Sequence, residues 1–269
     1  MITFSIAIFC GLGVGLGCYY GDVCGYGWSI FFGVLGFGVC QFGIGFFLRR
    51  KVKAQMDEVQ RILTSGQKQL QMKTQRWQMK PPGSIQAAQM EIERDQRVFV
   101  KAALEAVEPM HKFDLWVPMM RRQIATAQFQ LYWMIKDWKK VDELMPKAMF
   151  LDPGATAMKL ARYQMQERPL DEMEKVYDKA VRRLRYNQNV LLAGTWSWIL
   201  VKRGEIDRAF KALNAALKNS DNETLKANRD SLSNNRVQQF SNSGLGDQWY
   251  ALQLEEPRIR QRRQRMQWR

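Results

Sequence analysis

Apolar and polar positions divide this chain sharply at residue 48. Residues 1–48 hold one charged side chain, Asp22, and two apolar runs, Ile2–Tyr20 and Trp28–Leu48. Each run has the roughly 20 residues that a helix needs to cross a bilayer. The pattern predicts a two-helix transmembrane hairpin, turning at Gly21-Asp22-Val23-Cys24-Gly25-Tyr26-Gly27. Beyond Leu48 the chain is polar, basic and reads as helical. The expected fold class is all-α.

Past the membrane boundary, Val52, Met56, Val59 and Leu63 recur at 4-3-4 spacing. Leu70 and Trp77 continue the stripe, and Gly66 and Lys73 interrupt it. Two readings stay open: a short coiled-coil stalk pairing two copies through residues 52–77, or packing on the chain's own domain. The shortness of the stripe favours the second. Lys80-Pro81-Pro82-Gly83 then stops the helix and forms a linker. Ser84 stands as the cap of a helix running to about Val107, before Glu108-Pro109, with apolar positions Ile92, Phe99, Ala103 and Ala106. After Pro118, helix-sized segments come in pairs separated by Pro or Gly.

Three of these segments align on their second halves: Asp137–Ala148, Pro169–Ala180 and Gly204–Ala216. The aligned alanines Ala148, Ala180 and Ala216 lie 32 and 36 residues apart. The spacing resembles the tetratricopeptide repeat, a helix–turn–helix unit of about 34 residues. In the third copy Gly204 takes the turn, Ala209, Leu213 and Ala216 the second helix, and Leu200 the aromatic position of the first. Leu160, Ala161, Tyr177 and Ala180 fit in the second copy; Tyr132, Ala148 and the terminal Pro153 fit in the first. The family's Trp-x-x-Leu-Gly start is absent, Val141 and Met173 replace its preferred Ala, and Pro146 predicts a kink in a second helix. The resemblance implies a tetratricopeptide-like α-solenoid over 84–257, with repeats at about 122–153, 154–189 and 190–223. Residues 84–118 and the stretch from Thr224 to Leu252 would cap its ends.

Charge supplies a direction. Of the net +15, residues 49–269 carry +16. The hairpin loop has no Lys or Arg, whereas Arg49-Arg50-Lys51-Val52-Lys53 follows the second run, so both termini and the soluble domain are expected in the cytoplasm. No basic n-region precedes the first run, which argues against a cleaved signal peptide. Gly17 before Cys18 is compatible with a lipoprotein site, but Gly15 stands where an apolar residue is expected. Gly11/Gly15 and Gly13/Gly17 have the small-xxx-small spacing of close helix packing. Packing within the hairpin is the simpler use of them, and association with another copy the alternative.

Candidate chemistry is sparse. All four cysteines (Cys10, Cys18, Cys24, Cys40) fall in the hairpin, at spacings that match no zinc pattern. The single histidine, His111, has no acidic or Cys cluster spaced to share a metal with it. No nucleophile elbow, phosphate loop or His-Glu-x-x-His occurs, so neither an enzyme nor a cofactor is expected. Trp116, Tyr132, Trp133, Trp138, Trp196 and Trp198 crowd the array. Neighbouring rings cannot all point inward, so some should be available to a partner. The tail beyond Pro257 (residues 258–269) carries Arg258, Arg260, Arg262, Arg263, Arg265 and Arg269 without an acid, suited to anionic lipid or nucleic acid.

These readings make the chain a membrane-anchored scaffold or adaptor that docks another protein, with assembly or regulation inside a larger membrane complex as one form of that role. Binding of nucleic acid or anionic lipid through the basic surface is the alternative.

Overall fold

The two apolar runs form α1 (Ile2–Tyr20) and the start of α2 (Tyr26–Met79). A computed structural model describes residues 2–21, 25–79 and 84–256. The chain divides into two compact units, Met1–Met149 and Phe150–Arg269. Among the described residues there are eleven α-helices, three 3-10 helices and no strand.

In the first unit α1 and α2 lie against one another along the hairpin. Nothing breaks α2 at the end of the second apolar run. Its 54 residues run on without Pro, which at 1.5 Å rise makes a rod of about 81 Å. Beyond the basic run, α2 packs against α3 (Ile85–Val107), whose N-cap Ser84 accepts a hydrogen bond from the Ala87 N–H. A 3-10 helix (Glu108–Phe113), α4 (Met120–Met134) and α5 (Trp138–Leu144) complete the unit. Its core is Val59, Val100, Ala103, Val107, Met110, Met120, Ile124 and Leu131, with Val52, Ile62, Leu63 and Phe99 packed around it. Val52, Val59 and Leu63 of the stripe on α2 are therefore packed within the chain's own unit, while Met56 stays exposed.

Two boundaries differ from the sequence expectation. The division between units falls at Met149/Phe150, not at the 80–83 linker, because α2 and α3 fold back on each other across it. Residues 80–83 themselves lie outside the described residues. Pro146 kinks no helix. The second helix of that pair ends at Leu144 and residues 145–147 turn, so Ala148 follows the helix instead of lying within it.

The second unit contains α6 (Pro153–Met165), α7 (Leu170–Val181), α8 (Val190–Lys202), α9 (Ile206–Leu217), α10 (Glu223–Ser233) and the one-turn α11 (Asp247–Tyr250). Helix α8 is its centre, packed on α6, α9 and α11. Both Trp196 and Trp198 are buried although they sit on different sides of α8, because that helix is covered all round. The expectation that part of the aromatic set would be available to a partner therefore finds no exposed ring on α8.

One turn recurs. Lys136 (φ 59°), Glu167 (φ 53°), Gly204 (φ 81°) and Asn235 (φ 54°) all adopt the left-handed conformation just past α4, α6, α8 and α10. At each, the next N–H reaches back five residues: Asp137 to the Tyr132 carbonyl, Arg168 to Tyr163, Glu205 to Leu200 and Arg236 to Ser231. This is the Schellman closure, which satisfies carbonyls that the helix end leaves open.

Candidate membrane anchor and docking groove

Helix α1 and the first part of α2 are long and apolar enough to cross a membrane. Their large side chains point outward: Phe9, Leu12, Val34, Val39 and Phe42 are all exposed. In water such a surface would be costly, at about 25 cal/mol for each Å². Small residues set the interhelix fit. A Cβ on Gly11 would stand 2.7 Å from the Gly33 carbonyl oxygen, and one on Gly15 3.3 Å from that of Ser29. Gly13 and Gly17 have nothing within 4 Å of that position. Of the two predicted glycine pairs, the hairpin uses Gly11/Gly15 and leaves Gly13/Gly17 uncovered. Across the same interface the Cys40 and Cys10 thiols lie side by side.

Aromatic residues gather where the hairpin turns. The rings of Tyr19 and Tyr20 are 5.4 Å apart and those of Tyr19 and Tyr26 6.1 Å, with Trp28 packed on Phe31 one turn on. Tyr and Trp favour the level of the lipid head groups. Their positions at the ends of the two runs were the available sequence signal for this belt.

In the second unit a groove of 330 Å³ opens between α7, α8 and α9, lined by Tyr177, Trp196, Leu200, Lys211, Ala215 and Ala216. Tyr177 stacks on Trp196 at 5.5 Å between centroids and 22° between planes. Burial pushes the Tyr177 phenol up to about 12. Glu174 and Arg208 pair at 3.0 Å on the rim. The floor is aromatic and the rim carries both signs of charge, a combination suited to a polypeptide segment with one apolar anchor.

The other repeat positions are structural. Ala209, Leu213 and Ala216 form the buried face of α9, Ala180 is half-buried on α7, and Gly204 supplies the left-handed turn. Pro153 opens α6 at its first position after the N-cap Asp152, so it begins a helix where the repeat alignment placed it at an end. Arg258, Arg260, Arg262, Arg263, Arg265 and Arg269 lie outside the described residues.

The repeat alignment missed two further arrangements. Lys159 lies over the rings of Phe150 and Tyr163, at 4.9 and 5.4 Å, and the Arg168 guanidinium stands 4.4 Å from Tyr163. Burial lowers the Lys159 pKa, and Arg168 and Lys179 push it the same way. The second is Glu255, whose carboxylate accepts from the indole N–H of Trp198 at 2.7 Å and of Trp249 at 2.9 Å. It fastens the last described turn onto α8. No protein-family model matches the chain, and neither a curated protein nor a solved structure matches it.

Proposed function

We propose that this chain is a two-pass membrane protein whose cytoplasmic part is a tetratricopeptide-like adaptor. The observation that carries the anchor is the outward-facing apolar surface of the hairpin, followed directly by the exposed run Arg49-Arg50-Lys51 and Lys53. Positive charge at that end favours its retention in the cytoplasm. The Schellman turns at residues 167 and 204, each joining a helix of 13 residues to one of 12, support the repeat reading. So does the packing of α6 on α8, the first helices of successive pairs. The groove between α7, α8 and α9 is the docking surface for an extended or helical segment of a partner protein.

Two measurements on the full chain test this. Alkaline carbonate should leave the protein in the membrane pellet, and protease added to the cytoplasmic face alone should digest residues beyond 49. Release into the supernatant would end the anchor reading. For the groove, Arg208→Glu with Lys211→Glu should reduce co-purification of a stoichiometric partner that a control substitution at exposed Glu105 leaves intact. Equal recovery in both would count against docking there.

Lys159 and Arg168, placed over the rings of Phe150 and Tyr163 with the charge of Lys179 acting on Lys159, favour a second reading, contact with anionic lipid or nucleic acid. It predicts binding that weakens steeply with salt and falls when the six tail arginines become Gln. Salt-insensitive binding, or none at low salt, would remove it.

A further inference from the structure

The segment Phe113–Met119 joins the 3-10 helix to α4 and touches the first turn of α1. The Ile2 N–H donates to the Leu115 carbonyl at 3.1 Å, and the Thr3 hydroxyl donates to the Trp116 carbonyl at 3.2 Å. Ile2 and Tyr20 are the two ends of α1. At 1.5 Å per residue, the loop therefore stands about 27 Å along the helix axis from the tyrosine belt at the hairpin turn. A bilayer's hydrocarbon core is about 30 Å thick. If Tyr19, Tyr20 and Tyr26 mark one membrane face, Leu115 and Trp116 stand at the other.

The surface chemistry of the loop fits that level. Leu115 is 58% exposed and Met119 60%, and Trp116 between them is half-buried. Met119 holds a left-handed backbone conformation (φ 62°), uncommon for a bulky side chain. The single acid, Asp114, is held by Arg121 Nε and His111 Nδ1, each at 3.2 Å. Three of its backbone N–H groups are satisfied internally: those of Trp116 and Val117 donate to the Phe113 carbonyl, and that of Asp114 to the His111 carbonyl. Internal pairing of this kind lowers the cost of placing irregular backbone beside lipid. Lys112, Arg121 and Arg122 flank the loop, as Arg49-Arg50-Lys51 flank the end of the second apolar run. Basic residues at that level are attracted to anionic head groups.

We propose that Leu115, Trp116 and Met119 insert into the cytoplasmic head-group layer as a third membrane contact, which fixes the first unit against the bilayer. This rests on the hairpin reading above. The test uses the full chain in vesicles of phosphatidylcholine and phosphatidylglycerol, with Cys10, Cys18, Cys24 and Cys40 replaced by Ala. A polarity-sensitive fluorophore is placed in turn at Leu115→Cys, Met119→Cys, Phe42→Cys and Thr64→Cys. Labels at 115 and 119 should emit to the blue of the label at 64, and brominated lipid should quench them, most strongly with bromine near the head group. Label 42 should be quenched most by bromine deep in the acyl chains. If 42 is quenched by lipid while 115 and 119 behave like 64 and are quenched by aqueous iodide, the loop is in water and the proposal fails alone. If 42 is also in water, the hairpin reading fails and the proposal with it.

Discussion

The ring of Phe99 on α3 lies directly on the backbone of Gly66 on α2: a Cβ at Gly66 would come within 2.3 Å of the ring. Gly in mid-helix costs about 1 kcal/mol relative to Ala, and here that cost is offset by close approach of the two helices. Gly66→Ala should overpack the contact, at about 1–3 kcal/mol, for a net loss of about 1 kcal/mol. In a Phe99→Ala background the collision is gone, and the same substitution should stabilise by about 1 kcal/mol. Thermal unfolding of the four proteins in detergent checks the change of sign; additive effects would mean the contact is not made.

That pair also shows what a single sequence can convey. Along α2 the apolar spacing marks which face is covered, and Val59 and Leu63 lie on it as their periodicity requires. Gly66 and Lys73 look like faults in the stripe because their reason sits on another helix. Gly66 makes room for Phe99, and Lys73 meets Glu91 and Asp95. Helix ends were legible where chemistry marks them, as at Ser84 and Gly204. The burial of both Trp196 and Trp198 was not, since periodicity cannot tell a helix covered on one side from one covered on all. Glu255 gave no local signal, because its partner Trp198 lies 57 residues away in the sequence.

Within the hairpin, Gly11 should be sensitive to enlargement and Gly13 should not. Leu at Gly11 must displace the Gly33 carbonyl and Phe37. Overpacking of about 1–3 kcal/mol lowers the ratio of closed to open hairpin by about 5- to 150-fold. Leu at Gly13 meets open space. Mild oxidation in membranes should join Cys10 to Cys40 in the native protein and in Gly13→Leu, with a reduced yield in Gly11→Leu. Peptide mass analysis after alkylation reads the yield. Equal yields in all three would show that Gly11 does not set the helix spacing.

Glu255 should stabilise the second unit more than its place near the end of the described chain suggests. Two indole N–H groups donate to one carboxylate, and hydrogen bonds to charged groups contribute more than neutral ones. Glu255→Ala should cost about 2 kcal/mol and weaken the near-ultraviolet circular dichroism of the Trp198–Trp249 pair. Glu255→Gln keeps one acceptor oxygen and should lose about half as much. An unchanged unfolding midpoint for Glu255→Ala would mean that the clamp does not hold in solution.

Tyr177 gives the second unit a measurable response to alkali. Burial against Trp196 raises its phenol from 10 to about 12. In the unfolded chain the phenol loses its proton near pH 10, while in the folded protein it keeps it until about pH 12. Across that window the unfolded state binds fewer protons, so stability falls as pH rises, by about 1.4 kcal/mol per unit and about 2–3 kcal/mol in all. Below pH 10 both states are protonated and the contribution is fully present. Tyr177→Phe has no proton to lose, so its stability should match the native protein near pH 8 and exceed it by about 2–3 kcal/mol at pH 12. Denaturant unfolding at intervals from pH 8 to 12 reads the difference directly, since the remaining tyrosines and lysines titrate alike in both proteins. Parallel curves would show that Tyr177 reaches water in the folded state, and that the floor of the groove is open where the structure has it closed.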